Sequence, residues 1–196
     1  MYDLINQKKI YESKPYNSCV FVGYDESGKA KYAAVRSSNP KLSYRQDCTG
    51  SDKSYAISVV FRDGKVIKEK NLNIQKLYVF ESPIDLISYL SLLKQYHVKE
   101  GPILCISLGG VSDLALKRTL AENPNMNQIV LCLDNDGAGT AACEQMAQSY
   151  GDKYKLIRCL PQCKDFNEDL VALINEAGSP QASVQNEEDE ASYEIY

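Results

Sequence analysis

The 196-residue sequence lacks the features that mark several common classes of protein. It has no tryptophan, one histidine and no CxxC pair, and its last 19 residues contain no lysine or arginine. No apolar run reaches the ~18 residues of a membrane span, and the first residues lack the apolar core of a signal peptide. These absences predict a cytoplasmic protein that has no membrane partner.

The seven cysteines are scattered along the chain, and their number is odd. An odd count without a CxxC pair predicts free thiols in a reducing compartment. Cys159 and Cys163 are four positions apart, but a zinc site needs a second pair of ligands that the chain does not offer. We therefore expect no zinc site.

Charge is unevenly distributed, although the net charge is only -4. Residues 1–75 carry 13 basic against 8 acidic residues, and residues 76–177 carry 9 against 13. Residues 178–196 carry 5 acidic residues and no basic one. Because the average hides a basic front, the net charge does not exclude a nucleic-acid partner.

Residues 76–177 show a regular alternation of two patterns. Apolar runs at 77–80, 103–106 and 129–133 and a fourth predicted strand at 155–160 are each followed by a segment with helical apolar spacing. Apolar strands that alternate with helices are typical of a parallel sheet covered on both faces. We predict an α/β fold with a four-stranded, mostly parallel, Rossmann-like sheet and helices on both faces.

The flanking segments follow other patterns. Residues 1–75 predict a short helix and four strands, including a hairpin around residues 17–36, which makes a small, basic, β-rich α+β element. Residues 178–196 have almost nothing apolar to bury, so we expect an acidic disordered tail. The predicted units are therefore 1–75, 76–177 and 178–196.

Acidic residues follow the first and third predicted strands of residues 76–177. Glu81 ends the first, while Asp134 and Asp136 end the third. If the strand order is the common 2-1-3-4, these two strands are neighbours and the carboxylates meet at the ligand-binding edge of the sheet. Asp165, after the fourth strand, is a fourth candidate. Ligands that are all oxygen atoms select Mg²⁺ or Mn²⁺.

Glycine-rich helix starts and a lysine accompany these acids. Backbone N–H groups at the first turn of a helix can bind an anion, and a lysine can meet a phosphate. Metal and phosphate sites together indicate phosphoryl or nucleotidyl transfer. The residues predicted to bind phosphate or nucleotide are Ser107, Gly109, Gly110, Gly137, Gly139 and Lys164.

Other interpretations of the same acids remain open at this point. An aspartate after a buried strand is often a helix cap, which would explain Asp134 or Asp136 without any metal. A calcium loop is not one of these interpretations, because Ala138 and Gln145 stand where it needs oxygen ligands.

Four segments resemble the toprim domain that primases, topoisomerases, recombination-repair proteins and certain nucleases share. They are VFESPIDLISYLSL, ISLGG, LCLDNDGAGTAA and LPQCKDFNEDL, and the resemblance extends over residues 75–177. It is closest to primase-like toprim proteins of plasmids and conjugative elements. Residues 10–75 resemble the uncharacterised domain that often precedes toprim in those proteins.

The resemblance implies a role for each matching acid. Glu81 matches the family glutamate, a general acid or base that also helps to hold metal. Asp134 and Asp136 match the DxD pair that binds Mg²⁺. Asp165 matches the first acid of a later motif, in which Asn167 replaces the second acid. The sequence thus implies a catalytic site at Glu81, Asp134 and Asp136, with Asp165 as a further metal ligand.

The basic front interleaves cationic and aromatic side chains. Lysine and arginine can neutralise phosphates, and tyrosines can stack on unpaired bases. An ordinary charged β surface would explain the same pattern. The predicted nucleic-acid-binding residues are Arg36, Lys41, Arg45 and Lys53, interleaved with Tyr32, Tyr44 and Tyr55.

Our first hypothesis is a Mg²⁺-dependent primase-like enzyme that acts on nucleic-acid phosphodiesters by nucleotidyl transfer in DNA replication or mobilisation. Its partners would be single-stranded DNA, nucleotides and other replication or mobilisation proteins. The alternatives are a non-catalytic nucleic-acid-binding toprim module of a larger complex and a toprim nuclease. Transfer and hydrolysis need the same charge stabilisation, so the sequence does not separate them.

Overall fold

The computed structural model describes residues 2–14, 17–39, 41–42, 44–68, 72–99 and 101–177. The acidic tail predicted for residues 178–196 lies outside the described residues. Within these ranges the chain forms ten strands in two sheets and five α-helices.

The first sheet is antiparallel, and its four strands are neighbours in chain order. Its strands are β1 (Ile10–Ser13), β2 (Ser18–Tyr24), β3 (Ala30–Arg36) and β4 (Arg45–Asp47), and helix α1 (Tyr2–Asn6) precedes them in the chain. The turn between β2 and β3 is built by Asp25, whose side chain accepts hydrogen bonds from the N–H groups of Ser27 and Lys29. The predicted hairpin in this segment is therefore confirmed.

The second sheet contains the other strands: β5 (Ser58–Arg62), β6 (Lys65–Ile67), β7 (Lys76–Phe80), β8 (Ile103–Ser107), β9 (Gln128–Cys132) and β10 (Lys155–Arg158). Their order across the sheet is β10-β9-β7-β8-β5-β6. The four strands β8, β7, β9 and β10 are parallel. These four strands have the common order 2-1-3-4, the condition under which β7 and β9 are neighbours.

The sheet has six strands instead of the predicted four, because β5 and β6 extend one edge. β5 pairs antiparallel with β8, from Ser58 opposite Ile106 to Phe61 opposite Ile103. The sheet thus includes strands from both sides of position 75, where we expected the N-terminal element to end. The alternation of apolar and polar residues in β5 indicates which face of the strand is buried, but it does not indicate which strand pairs with β5. The pairing with β8 was therefore not predictable from the sequence.

Helices cover both faces of the second sheet, as predicted. They are α2 (Pro83–Gln95), α3 (Leu114–Glu122), α4 (Gly137–Tyr150) and α5 (Phe166–Ala177). No helix in the described ranges is long and apolar enough to cross a membrane. All seven cysteines are free thiols, as predicted.

Alternate residues of the central strand enter two separate cores. Leu77 of β7 packs in one core with Leu116 of α3. Phe80 packs in the other, with ring centroids 5.2 Å from Tyr89 of α2 and 5.9 Å from Phe166 of α5. Because successive side chains of a strand point to opposite faces, α3 and α4 lie on one face and α2 and α5 on the other.

Candidate active site

Glu81 lies directly after β7, at the carboxyl edge of the parallel strands. Ser82 caps α2, since its hydroxyl accepts a hydrogen bond from the N–H of Asp85 at 3.3 Å. The N–H of Gly110 donates to the carbonyl of Glu81 at 3.0 Å. The backbone of Glu81 is therefore held both by the start of α2 and by the loop after β8.

Asp134 and Asp136 follow β9, which neighbours β7, so the predicted juxtaposition with Glu81 is present. Asp136 caps α4, because its Oδ1 accepts a hydrogen bond from the N–H of Gly139 at 2.9 Å. A Cβ at Gly139 would overlap the carbonyl oxygen of Asp134. Glycine is needed here because the first turn of α4 touches the backbone that carries Asp134.

The electrostatics of these acids show that they share one region of partly buried space. Burial, followed by the charges of Asp134 and Asp136, raises the pKa of Glu81 to about 7. Burial, followed by the charge of Asp165, raises the pKa of Asp134. Carboxylates that raise one another's pKa in this way form an acidic cluster that favours either a proton or a cation.

Asp85 belongs to the same cluster, although it was not predicted from the sequence. It lies in the first turn of α2, is only 5% exposed, and its side chain accepts a hydrogen bond from the Ser82 hydroxyl. Burial, reinforced by the charges of Asp165 and Asp134, raises its pKa to about 6. The signal that could have found it is the Ser82-x-x-Asp85 spacing, which is typical of a helix cap.

The loop after β10 brings Lys164 and Asp165 beside Asp134. The N–H of Asn135 donates to the carbonyl of Lys164 at 2.7 Å, which ties this loop to the loop after β9. Lys164 opposes the rise in the pKa of Asp134. Asp165 accepts a hydrogen bond from the N–H of Glu168 at 2.8 Å, so it also holds the start of α5.

The loop after β8, which we call the glycine loop (residues 107–110), contains three of the predicted phosphate-binding residues. Ser107 is fully buried, and its hydroxyl contacts the Glu81 carbonyl at 3.5 Å and accepts from the N–H of Gly109 at 3.2 Å. Gly109 and Gly110 have φ angles of 65° and 137°, which favour glycine.

At the start of α4, Gly137 has open space where a Cβ would stand.

The four basic residues predicted to bind nucleic acid differ in their surroundings. Arg36 and Arg45 lie directly opposite one another on β3 and β4, and the charge of Arg45 opposes the rise in the pKa of Glu81. Lys53 instead forms an ion pair with Asp47 at 3.1 Å. Lys41 is exposed in the connection between β3 and β4. Arg45 is therefore a basic residue of the N-terminal sheet whose charge reaches Glu81, and Arg36 is its direct neighbour on the facing strand.

The tyrosines proposed to stack on bases differ in their surroundings. Tyr32 is 1% exposed and packs in the core, so its prediction as a stacking residue is wrong. The guanidinium of Arg118 covers the ring of Tyr55 at 3.6 Å from its centroid. Tyr44 is 51% exposed. The burial of Tyr32 depends on which face of β3 packs against the core. The sequence of β3 does not distinguish its two faces, so this burial was not predictable.

Two family models match the chain. Residues 78–170 match the family described as Toprim-like, and residues 1–64 match the family described as Protein of unknown function (DUF3991). No curated protein matches the chain.

Several solved structures share the fold. The primase fragment of the bacteriophage T7 primase-helicase protein is 18% identical with a TM-score of 0.53, covering 83% of this chain and 66% of that chain. A chain of the bacteriophage T7 lagging-strand DNA polymerase complex with primase domains of two gp4 subunits is 24% identical with a TM-score of 0.54, covering 87% and 80%. A DNA primase domain from Pseudomonas aeruginosa is 17% identical with a TM-score of 0.50, covering 86% and 54%. This chain thus spans between 54% and 80% of the lengths of these structures.

Strand order, helices on both faces and an acidic carboxyl edge define a Rossmann-like α/β fold. Residues 78–170 of this chain are similar to the Toprim-like family, residues 1–64 are similar to the DUF3991 family, and the fold is shared with primase domains. The predicted resemblance to the toprim domain and to the domain that often precedes it is therefore confirmed.

Proposed function

We propose that this chain is a metal-dependent primase-like enzyme that joins nucleotides on a single-stranded DNA template. The observation that carries the proposal is the acidic cluster, in which burial and mutual repulsion raise the pKa of Glu81 to about 7 and also raise that of Asp134. A role in DNA replication or mobilisation, with other proteins of those processes as partners, is part of this proposal.

The donor chemistry of the cluster suits a hard divalent cation, although among the described residues no three of these side chains lie close enough to ligate one ion without moving. Their donors are carboxylate oxygens, which Mg²⁺ and Mn²⁺ prefer, and their repulsion is the kind that a cation offsets. When bound, the ion would supply positive charge that neutralises the reacting phosphate. The residues that would hold it are Glu81, Asp134, Asp136 and Asp165.

The residues of the chain itself support proton transfer and substrate binding. A carboxyl group whose pKa is about 7 can accept or give a proton at neutral pH, which suits Glu81 as a general base or acid. Arg36 and Arg45 can bind the phosphates of the template or of the nucleotide. Gly137 leaves the first turn of α4 open, and Lys164 lies beside Asp134, so both can contribute to phosphate binding.

The direct test is primer synthesis on single-stranded DNA in the presence of Mg²⁺ or Mn²⁺. We expect Glu81→Gln and Asp134→Asn each to reduce the rate at least ~100-fold, as removal of a catalytic or charge-stabilising group usually does. Asp152→Asn is the matched control, because Asp152 is exposed beyond the end of α4. Equal rates for Glu81→Gln, Asp134→Asn and the wild type would show that the assignment is wrong.

The nucleic-acid interface has its own test, which needs no turnover. Replacing Arg36 and Arg45 together by alanine should reduce the slope of log affinity against log salt by about 1.4, since each phosphate contact to a single strand contributes ~0.7. Lys41→Ala is the control, because Lys41 is an exposed lysine in the connection between β3 and β4 and shows how much a single exposed cation contributes to the salt slope. An unchanged slope in the double variant would remove both arginines from the interface.

A second candidate is a non-catalytic nucleic-acid-binding module, and two observations favour it. Among the described residues, no three acidic, cysteine or histidine side chains are close enough to ligate one metal ion. Asn167 also stands where primases carry a second acid. This candidate predicts salt-dependent binding of single-stranded DNA without any product. A nuclease would yield shortened strands in the same gel that reveals extended primers.

A further inference from the structure

We propose that Asp47 and Lys53 are positioning residues that hold the glycine loop against Glu81, and that Lys53 is not a nucleic-acid contact. The inference rests on the proposed function, because the loop matters only if Glu81 is catalytic. It assigns to Lys53 a role different from the one that its charge alone predicts.

Lys53 and Asp47 link the N-terminal sheet to the glycine loop. The ammonium of Lys53 lies 3.1 Å from Oδ2 of Asp47 and donates to the carbonyl of Gly109 at 3.3 Å. The other carboxylate oxygen, Oδ1 of Asp47, accepts a hydrogen bond from the Tyr32 hydroxyl at 2.9 Å. Both oxygens of Asp47 are thus engaged, and its partner Lys53 joins it to the loop.

Tyr32 reaches the loop as well. A Cβ at Gly109 would stand 2.6 Å from the Tyr32 hydroxyl oxygen, so the tyrosine packs directly on the glycine backbone. From there, the N–H of Gly110 donates to the carbonyl of Glu81. A continuous series of contacts therefore runs from Asp47 through the glycine loop to the backbone of Glu81.

The charge of Lys53 is already neutralised by Asp47, whereas Arg36 and Arg45 have no such partner among the residues that the structure describes. In the described part of the chain, no carboxylate lies within ion-pair distance of either arginine, and the two lie directly opposite each other. Like charges directly opposite on a sheet repel, so an anion between them is favourable. A phosphate would therefore bind at the arginines and leave the Lys53–Asp47 pair intact.

The test compares Asp47→Asn and Lys53→Met with the wild type in the full chain. Binding of single-stranded DNA is measured across a range of salt concentrations, and hydrogen exchange is measured at the amides of Gly109 and Gly110. Primer synthesis supplies kcat and the KM for nucleotide. Arg45→Ala is the reference for a residue that does contact phosphate.

We expect both variants to keep the wild-type salt slope and to exchange the two glycine amides about five- to tenfold faster, as loss of one hydrogen bond permits. We also expect kcat to fall while the KM for nucleotide changes little. Lys53→Arg retains the ion pair and should restore the slow exchange. Lys53 is 44% exposed at its side chain, so its replacement leaves the core untouched.

Two results would overturn the inference. A salt slope reduced by about 0.7 in Lys53→Met would make Lys53 a phosphate contact. Tighter DNA binding by Asp47→Asn would mean that the carboxylate restrains a lysine that otherwise binds nucleic acid. The salt slope of DNA binding and the hydrogen exchange of the glycine amides are both measured without turnover. Absence of primer synthesis in the wild type would therefore contradict the proposed function, while these two measurements would still test the positioning role.

Discussion

Replacing Glu81 by glutamine should make the metal-free protein more stable at pH 8 and leave its stability at pH 4 almost unchanged. The folded state raises the pKa of Glu81 from its ordinary 4.5 to about 7. Below pH 4.5 the carboxyl group is protonated in both states, so its placement has no effect on stability. Between these values the folded state binds more protons, so stability falls as pH rises, and the whole cost is present above pH 7.

The magnitude follows from the two pKa values. The difference between 4.5 and about 7 corresponds to an upper limit of ~3.4 kcal/mol, at ~1.36 kcal/mol for each pH unit. Glu81 is only partly buried, so solvent screening reduces this figure by about half. We therefore expect Glu81→Gln to gain roughly 1.5 kcal/mol at pH 8.

The measurement is urea unfolding of the wild type and Glu81→Gln at both pH values in the presence of a chelator. Asp152→Asn is the control for removing an exposed negative charge. Mg²⁺ added at pH 8 should stabilise the wild type more than Glu81→Gln, because a ligand stabilises only the state that binds it. A gain in stability that is equal at pH 4 and pH 8 would refute the claim that burial and neighbouring carboxylates destabilise the charged form of Glu81.

Two further predictions concern the elements that support the site. Gly139→Ala should cost ~1–3 kcal/mol in urea unfolding, because its Cβ would overlap the Asp134 carbonyl, whereas Gly137→Ala meets no atom within 4 Å and should cost nothing. Phe166→Ala should cost ~3–5 kcal/mol because the buried ring packs between α2 and the sheet, while Ile174→Ala, 59% exposed on the same helix, should stay within ~0.5 kcal/mol. Equal effects within either pair would contradict the packing described here.

The parallel strands of the second sheet could be predicted from the sequence because each of four predicted strands is followed by a helix. Right-handed crossovers leave few possible orders for such strands, and 2-1-3-4 is a common one among them. The position of β5 could not be predicted in this way. Its alternation of Val59 and Phe61 on one face fits the edge of either sheet, and only the antiparallel pairing with β8 assigns it to the second.

The candidate site was predictable to the extent that its acids end neighbouring strands. Glu81 and Asp134 meet because β7 and β9 are adjacent. Asp85 escaped prediction because a buried acid in a first helical turn has the same sequence pattern as an ordinary cap. Lys53 was predicted from its charge to bind nucleic acid. The sequence did not indicate its ion pair with Asp47, because Asp47 lies six positions earlier on another element.

By itself the sequence determined the alternation of strands and helices, the toprim resemblance and the identity of the acids at the carboxyl edge. These depend on local periodicity and on residues close together in the chain. Tertiary structure alone decided which face of β3 is buried, so that Tyr32 is a core residue, and which basic residues are already paired. Burial and ion pairing depend on residues distant in sequence, and the pKa of Glu81 depends on both.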